Sequence, residues 1–224
     1  MTTLRILVAD DHEIVRQGIR ALLQTRQGWE VCGEATDGRE AIEKAAALQP
    51  DITILDLGMP NLNGLHAARK ILQQTPRARV LIWTMHESEQ VLREVLAVGA
   101  RGYVLKSDAG RDLVTAIEAL QRNQTFFSSK AGEVVLANFH NRKAGIDKTV
   151  KDVLTMRECE VVQLLAEGKS TKEVAVNLGL SVKTAETHRS NVMRKLELHS
   201  VSELVLYAVR NNIIHVLQPL APAS

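Results

Sequence analysis

Aromatic residues make up only 3% of this 224-residue sequence, and cysteine occurs just twice, at Cys32 and Cys159. Two thiols so far apart, without metal-ligand spacing, argue against a disulfide framework and against a zinc site, so both are expected as small core residues. Long apolar runs are missing too: none approaches the roughly 20 residues that a membrane-spanning helix needs. The first residues lack a charged stretch followed by an apolar one, so a cytoplasmic location is expected. Neither sign of charge dominates, with 28 Lys and Arg against 26 Asp and Glu. The balance is uneven along the chain, however. Residues 1–121 hold 14 basic and 16 acidic side chains, whereas residues 122–224 hold 14 and 10. Any acidic partner therefore belongs to the second half, although so small an excess does not establish nucleic-acid binding unless the charges are suitably placed. The length exceeds one ordinary core of about 100–150 residues and suits two modest domains.

What the first half does contain is a set of short apolar runs that end on polar residues. Leu4–Ala9 leads to Asp10 and Asp11, Ile52–Leu55 to Asp56, residues 80–83 to Thr84, and Gly102–Leu105 to Lys106. With a further run at residues 29–33, and helix-period segments between all of them, five βα units result. Runs that are apolar throughout are the mark of parallel strands buried on both faces, and right-handed crossovers make a doubly wound α/β sheet the natural solution. In such sheets ligands bind at the carboxyl ends of the strands. Three carboxylates, a hydroxyl and an ammonium thus converge on one rim. Asp56 is the candidate nucleophile, since it stands alone at the end of the middle strand before the turn at Gly58, Met59 and Pro60. A carboxylate that attacks a phosphoryl donor forms an acyl phosphate. Asp10 and Asp11 would repel Asp56 if all three stayed ionised and unpaired, and a cation between them removes that conflict; Mg²⁺ suits one or two carboxylates with phosphoryl oxygen and water. The plainer reading, in which Asp10 or Asp11 merely caps a helix starting near Glu13, accounts for the pair but not for Thr84 and Lys106 in register with it.

These residues resemble the receiver domains of bacterial response regulators. The Asp10-Asp11 pair, the stretch Leu55-Asp56-Leu57-Gly58-Met59-Pro60, Thr84, and Tyr103-Val104-Leu105-Lys106 carry the resemblance over about 120 residues. It implies a flavodoxin-like five-stranded sheet of order 2-1-3-4-5. It also implies that Asp56 is phosphorylated by a histidine kinase, and that Asp11, Asp56 and the Gly58 carbonyl ligate Mg²⁺ with Asp10 acting partly through water. Lys106 and Thr84 would hold the phosphoryl group, and Thr84 moving toward it would open space for Tyr103.

The pattern loosens over residues 123–152, which read as a linker containing one short helix. That helix is expected to begin after Ser128 or Ser129 and to bury residues 134–136 and Phe139, with residues 140–152 as the flexible part. Residues 153–214 read as a small bundle of four helices, followed by a tail at 215–224. Three starts carry Ser/Thr-x-x-Glu signatures (Thr155/Glu158, Ser170/Glu173 and Ser200/Glu203), and Ser181 marks a fourth. The connection Gly179-Leu180-Ser181 is of the helix-turn-helix type.

This second half is similar to the helix-turn-helix domain of the LuxR/FixJ class, through Leu154 to Glu158, Glu167 to Ser170, and Ser181 to Arg189. A receiver followed by such a domain is the NarL-type arrangement. The helix over residues 182–197 is then the candidate reader of the major groove, with Ala185, Val192 and Leu196 turned inward. Base-edge contacts are assigned to Lys183, Glu186, Thr187 and Ser190, and phosphate contacts to Arg189, Asn191, Arg194 and Lys195. One helix reads few base pairs, so a homodimer on paired half-sites is expected, with Val201–Arg210 as a candidate contact. Two other readings use the same residues. An aspartate-nucleophile phosphohydrolase would need a general acid that is not evident near Asp56, and a DNA-binding scaffold indifferent to phosphorylation would leave the acidic set without a purpose.

Overall fold

The computed structural model describes residues 3–85, 89–128, 154–211 and 213–214. It divides into two compact units, Met1–Ile146 and Asp147–Ser224.

In the first unit, strands and helices alternate as β1 (Leu4–Ala9), α1 (Glu13–Gln24), β2 (Trp29–Ala35), α2 (Gly38–Leu48), β3 (Ile52–Leu55) and α3 (Gly64–Gln74). They continue as β4 (Arg79–Thr84), α4 (Glu89–Val98), β5 (Gly102–Leu105), α5 (Ala109–Gln121) and β6 (Phe126–Phe127). All neighbouring strands pair in parallel, in the order β2-β1-β3-β4-β5-β6. The expected order is present, but the sheet has six strands rather than five. Two residues are too few to show a strand period, so β6 leaves no local signature. Tertiary pairing makes it: Phe126 N–H donates to the Arg101 carbonyl at 3.0 Å and Ser128 N–H to the Tyr103 carbonyl at 3.2 Å.

Alternation along the strands divides the core into two layers. Leu7, Ala9, Leu55, Ile82, Tyr103 and Leu105 pack on one face with apolar residues of α2, α3 and α4. Ile6, Val8, Ile54, Leu81, Trp83 and Val104 pack on the other with those of α1 and α5. Since both faces are covered, every strand residue of β3 and β5 is buried, Thr53 included, which is why these segments are dominated by apolar residues.

The second unit holds α6 (Met156–Ala166), α7 (Thr171–Leu178), α8 (Val182–Lys195) and α9 (Val201–Arg210) around one core that includes Val161, Val162, Leu164, Val174, Ala185, Val192 and Leu204. Thr155 with Glu158, and Ser170 with Glu173, form complete capping boxes. Ser200 caps α9 through its side chain, but Glu203 reaches the N–H of His199, at 2.6 Å, instead of returning to Ser200. Gly179 ends α7 at φ +63°, a left-handed conformation that permits the short turn into α8. Cys159 is buried as expected, whereas Cys32 is only half-buried. Among the described residues, no helix is long and apolar enough to cross a membrane. The expected linker helix, with Ser129, residues 134–136 and Phe139, and the segments 140–152 and 215–224 lie outside the described residues.

Candidate functional site

Parallel pairing brings the ends of β1, β3, β4 and β5 to one rim, where Asp10, Asp56 and Lys106 meet. Asp56 N–H donates to the Ala9 carbonyl at 2.9 Å, which ties the end of β3 to the end of β1. Lys106 crosses from β5, with Nζ 2.7 Å from Asp10 Oδ2 and 3.1 Å from Asp56 Oδ2. Asp10, Asp56 and Thr84 are buried. Asp11 lies nearer the surface, and Gly58 is exposed on the loop that leaves β3. By strand alternation Thr84 shares a sheet face with Ile82, whose register partner is the buried Tyr103.

The electrostatics follow from this crowding. Burial pushes the Asp56 carboxyl above its ordinary value, Lys106 opposes the rise, and the negative charges of Asp10 and Asp11 add to it. A divalent ion would relieve the same repulsion. One ligand atom from each of Asp10, Asp11, His12 and Asp56 lies within 4.8 Å of the others, so the donors for such an ion are already gathered.

Sequence reasoning missed several residues that shape this pocket. His12 places Nδ1 2.9 Å from Asp11 Oδ1 and 3.3 Å from Asp10 Oδ1, and its N–H donates to Asp10 Oδ1 at 2.9 Å. Its position directly after the Asp pair was the available signal. Arg16, one turn into α1, donates from Nη1 to the Asp10 carbonyl at 2.8 Å while its Nε faces Glu34 at 3.3 Å. Gly64 lets the start of α3 press on the main chain of Asp56. Neither contact has a hydrophobic or capping signature, although each lies within a single strand-to-helix connection.

In the second unit, Ser181 accepts a bond from Thr184 N–H and so starts α8. Ala185 and Val192 are buried, and Leu196 packs partly buried against the same core. Lys183, Glu186, Thr187, Ser190 and Arg194 are exposed, as the inward positions require. Thr187 Oγ1 donates to the Lys183 carbonyl at 2.9 Å. All four residues expected to meet phosphate also have partners within the unit. Arg189 donates to Thr171 Oγ1 at 3.1 Å and links α8 to α7. Arg194 donates to Asn191 Oδ1 at 3.2 Å. Lys195 Nζ lies 2.7 Å from Glu158 Oε2, in the capping box of α6. Burial raises Glu158, but the Lys195 and Thr155 hydrogen bonds outweigh it, and the carboxyl lies below its ordinary value. On α9, Leu204 and Ala208 belong to the core, while Val201 and Leu206 are 44% and 55% exposed.

Comparisons with known proteins agree with both halves. The response regulator receiver domain matches residues 6–118, and the luxR family of bacterial regulatory proteins matches residues 152–208. The oxygen regulatory protein NreC of Staphylococcus haemolyticus is 37% identical over 94% of this chain and 99% of its own. The transcriptional regulatory protein LiaR of Bacillus subtilis is 32% identical over 95% of this chain and 100% of its own. RcsB from Salmonella enterica serovar Typhimurium, solved bound to promoter rprA with the phosphomimetic BeF3-, is 29% identical over 92% of this chain and 98% of its own, with a TM-score of 0.56. A second RcsB structure, of two dimers bound to two parallel DNAs, gives 0.58 at 29% identity over 94% of this chain and 99% of its own. This chain therefore belongs to the two-component response regulators, as a receiver domain joined to a LuxR-type DNA-binding domain.

Proposed function

We propose that Asp56 accepts a phosphoryl group from a partner histidine kinase, and that this modification switches sequence-specific DNA binding by α8. The observation that carries the proposal is the position of Lys106 between Asp10 and Asp56, with Thr84 at the next strand end. In the transfer, an Asp56 carboxylate oxygen forms the bond to phosphorus while the bond from phosphorus to the donor breaks. Lys106 opposes the rise in the Asp56 pKa and so favours the ionised form that attacks. It also supplies positive charge for the incoming phosphoryl oxygens, and Thr84 donates a hydrogen bond to one of them. The chain is a phosphoacceptor whose only chemistry is on itself.

The donor set fits Mg²⁺: Asp10, Asp11, Asp56 and the Gly58 carbonyl would hold it, and it would supply charge neutralisation to the phosphoryl group. Thr84 then shifts toward the new charge and Tyr103 takes the space it leaves. To turn a mostly inactive population mostly active, the modification must favour one state by about 5.5 kcal/mol.

The receiver spans residues 1–122, the linker 123–152, the DNA-binding domain 153–214 and the tail 215–224. Lys183, Glu186, Thr187 and Ser190 read base edges, while Arg189, Asn191, Arg194 and Lys195 meet phosphates. A lysine ammonium has three donors, so Lys195 keeps two beyond its bond to Glu158. Dimers of the related RcsB on DNA support a homodimer on paired half-sites, with the exposed Val201 and Leu206 of α9 at the contact. The protein acts in the cytoplasm. Intact-mass measurement after incubation with a small phosphodonor and Mg²⁺ tests the central step. One added phosphoryl group is expected in the wild type and none in Asp56→Asn; equal labelling of both would exclude Asp56.

A further inference from the structure

We propose that His12 is a nitrogen ligand of the cation pocket, and that it shifts the pocket's preference from Mg²⁺ toward first-row transition dications. The inference rests on the reading of Asp10, Asp11 and Asp56 as a metal pocket and adds to it a residue which that reading does not use. Its basis is spacing. Ligands 2.0–2.1 Å from an octahedral ion, at right angles to one another, stand roughly 3 Å apart. His12 Nδ1 stands 2.9 Å from Asp11 Oδ1 and 3.3 Å from Asp10 Oδ1, so it can share an octahedral edge with either carboxylate. Nδ1 faces both carboxylates at contact distance, so its lone pair would be available to an ion held at the same point.

The backbone fixes this placement. His12 is the N-cap residue of α1 in an extended conformation, and its side chain makes no capping bond, so the ring is not committed to the helix. Its N–H is held instead by Asp10 Oδ1 at 2.9 Å, which keeps the imidazole on the pocket side. The side chain is 57% exposed and lies at the mouth, whereas Asp10 is fully buried at the floor, so an ion entering from solvent meets the imidazole and Asp11 first.

Chemistry then sets the selectivity. Mg²⁺ takes oxygen ligands and gives up water reluctantly, whereas imidazole nitrogen suits transition ions. A pocket of carboxylates alone discriminates little between Mg²⁺ and Mn²⁺; one with an imidazole favours the transition ion.

Mn²⁺ is the probe, bound to the full chain and followed by electron paramagnetic resonance with Mg²⁺ as competitor. Nitrogen modulation of the bound Mn²⁺ signal is expected in the wild type. In His12→Ala, Mn²⁺ should still bind, the nitrogen modulation should vanish, and the ratio of Mn²⁺ to Mg²⁺ affinity should fall about tenfold. The exposed position makes that variant tolerable to the fold, and circular dichroism checks it. Mn²⁺ bound without nitrogen coupling, or an unchanged affinity ratio in His12→Ala, would overturn the role of His12 and leave the carboxylate pocket standing. Wild-type Mn²⁺ binding that Asp11→Asn does not weaken would overturn both.

Discussion

Gly64 stands against the main-chain carbonyl of Asp56, with a Cβ at position 64 falling 1.9 Å from that oxygen. The contact is possible only because Gly64 has no side chain, and it is reinforced by its N–H donating to the Leu57 carbonyl at 3.2 Å. The first turn of α3 therefore acts as a stop behind the loop that carries Asp56.

Gly64→Ala should accordingly force the two segments apart. A loss of about 1–3 kcal/mol is expected in urea unfolding, the usual cost of overpacking a close contact. Labelling of Asp56 by a small phosphodonor should slow at the same time. A variant of wild-type stability and labelling rate would show that the loop moves aside freely.

The raised pKa of Asp56 makes stability depend on pH. A carboxyl whose folded pKa exceeds its unfolded value contributes stability that is fully present below the unfolded value, about 3.9, and is lost as pH rises through the folded one. Desolvation is the largest cause of this rise. Asp56→Asn removes the group, so in metal-free neutral buffer its Tm should exceed that of the wild type. The difference should disappear below about pH 4. A neutral-pH Tm at or below the wild-type value would contradict this account of the pocket.

Lys106 lies within ion-pair distance of two buried carboxylates. Lys106→Ala takes this positive charge from both of them and should cost about 3 kcal/mol, the lower end for a buried pair that loses one partner. Mg²⁺ should restore more of the Tm in this variant than it adds to the wild type, since it would supply the missing charge. Equal Mg²⁺ effects on the two proteins would separate Lys106 from the metal pocket.

On α8, Lys183 and Arg194 should fail in different ways. Lys183→Ala should cost about 1–3 kcal/mol on the preferred sequence and flatten the ranking of operator variants. Arg194→Ala should weaken all sequences alike and lower the salt slope of log K by about 1. Binding titrations at several salt concentrations distinguish them, and a change of base preference in Arg194→Ala would reverse the assignment.

The limits of legibility follow from how each feature is encoded. The strands Leu4–Ala9, Ile52–Leu55 and Gly102–Leu105 match the expected runs to the residue, because parallel strands covered on both faces are mostly apolar, with Arg5 and Thr53 the polar exceptions. The other two expected strands extend by one or two residues at an end into positions such as Glu34 and Arg79 that hydrophobicity does not mark. The caps at Thr155, Ser170 and Ser181 were equally visible, since a hydroxyl or carboxylate three residues away satisfies the free backbone N–H groups of a helix start.

Residue order alone pointed to the side chains proposed for phosphoryl chemistry, to a two-part chain and to the polar face of α8, because all of these depend on periodicity and on the strand ends. Packing across the sheet decided the rest. The ammonium of Lys106 reaching two carboxylates and the sixth strand need distances between distant segments, while the imidazole of His12 at the mouth, Arg16 on the Asp10 carbonyl and Gly64 against Asp56 need the folded path of a strand-to-helix connection. Such distances exist only once the hydrophobic layers have closed, and that closure turns a set of scattered polar residues into one pocket.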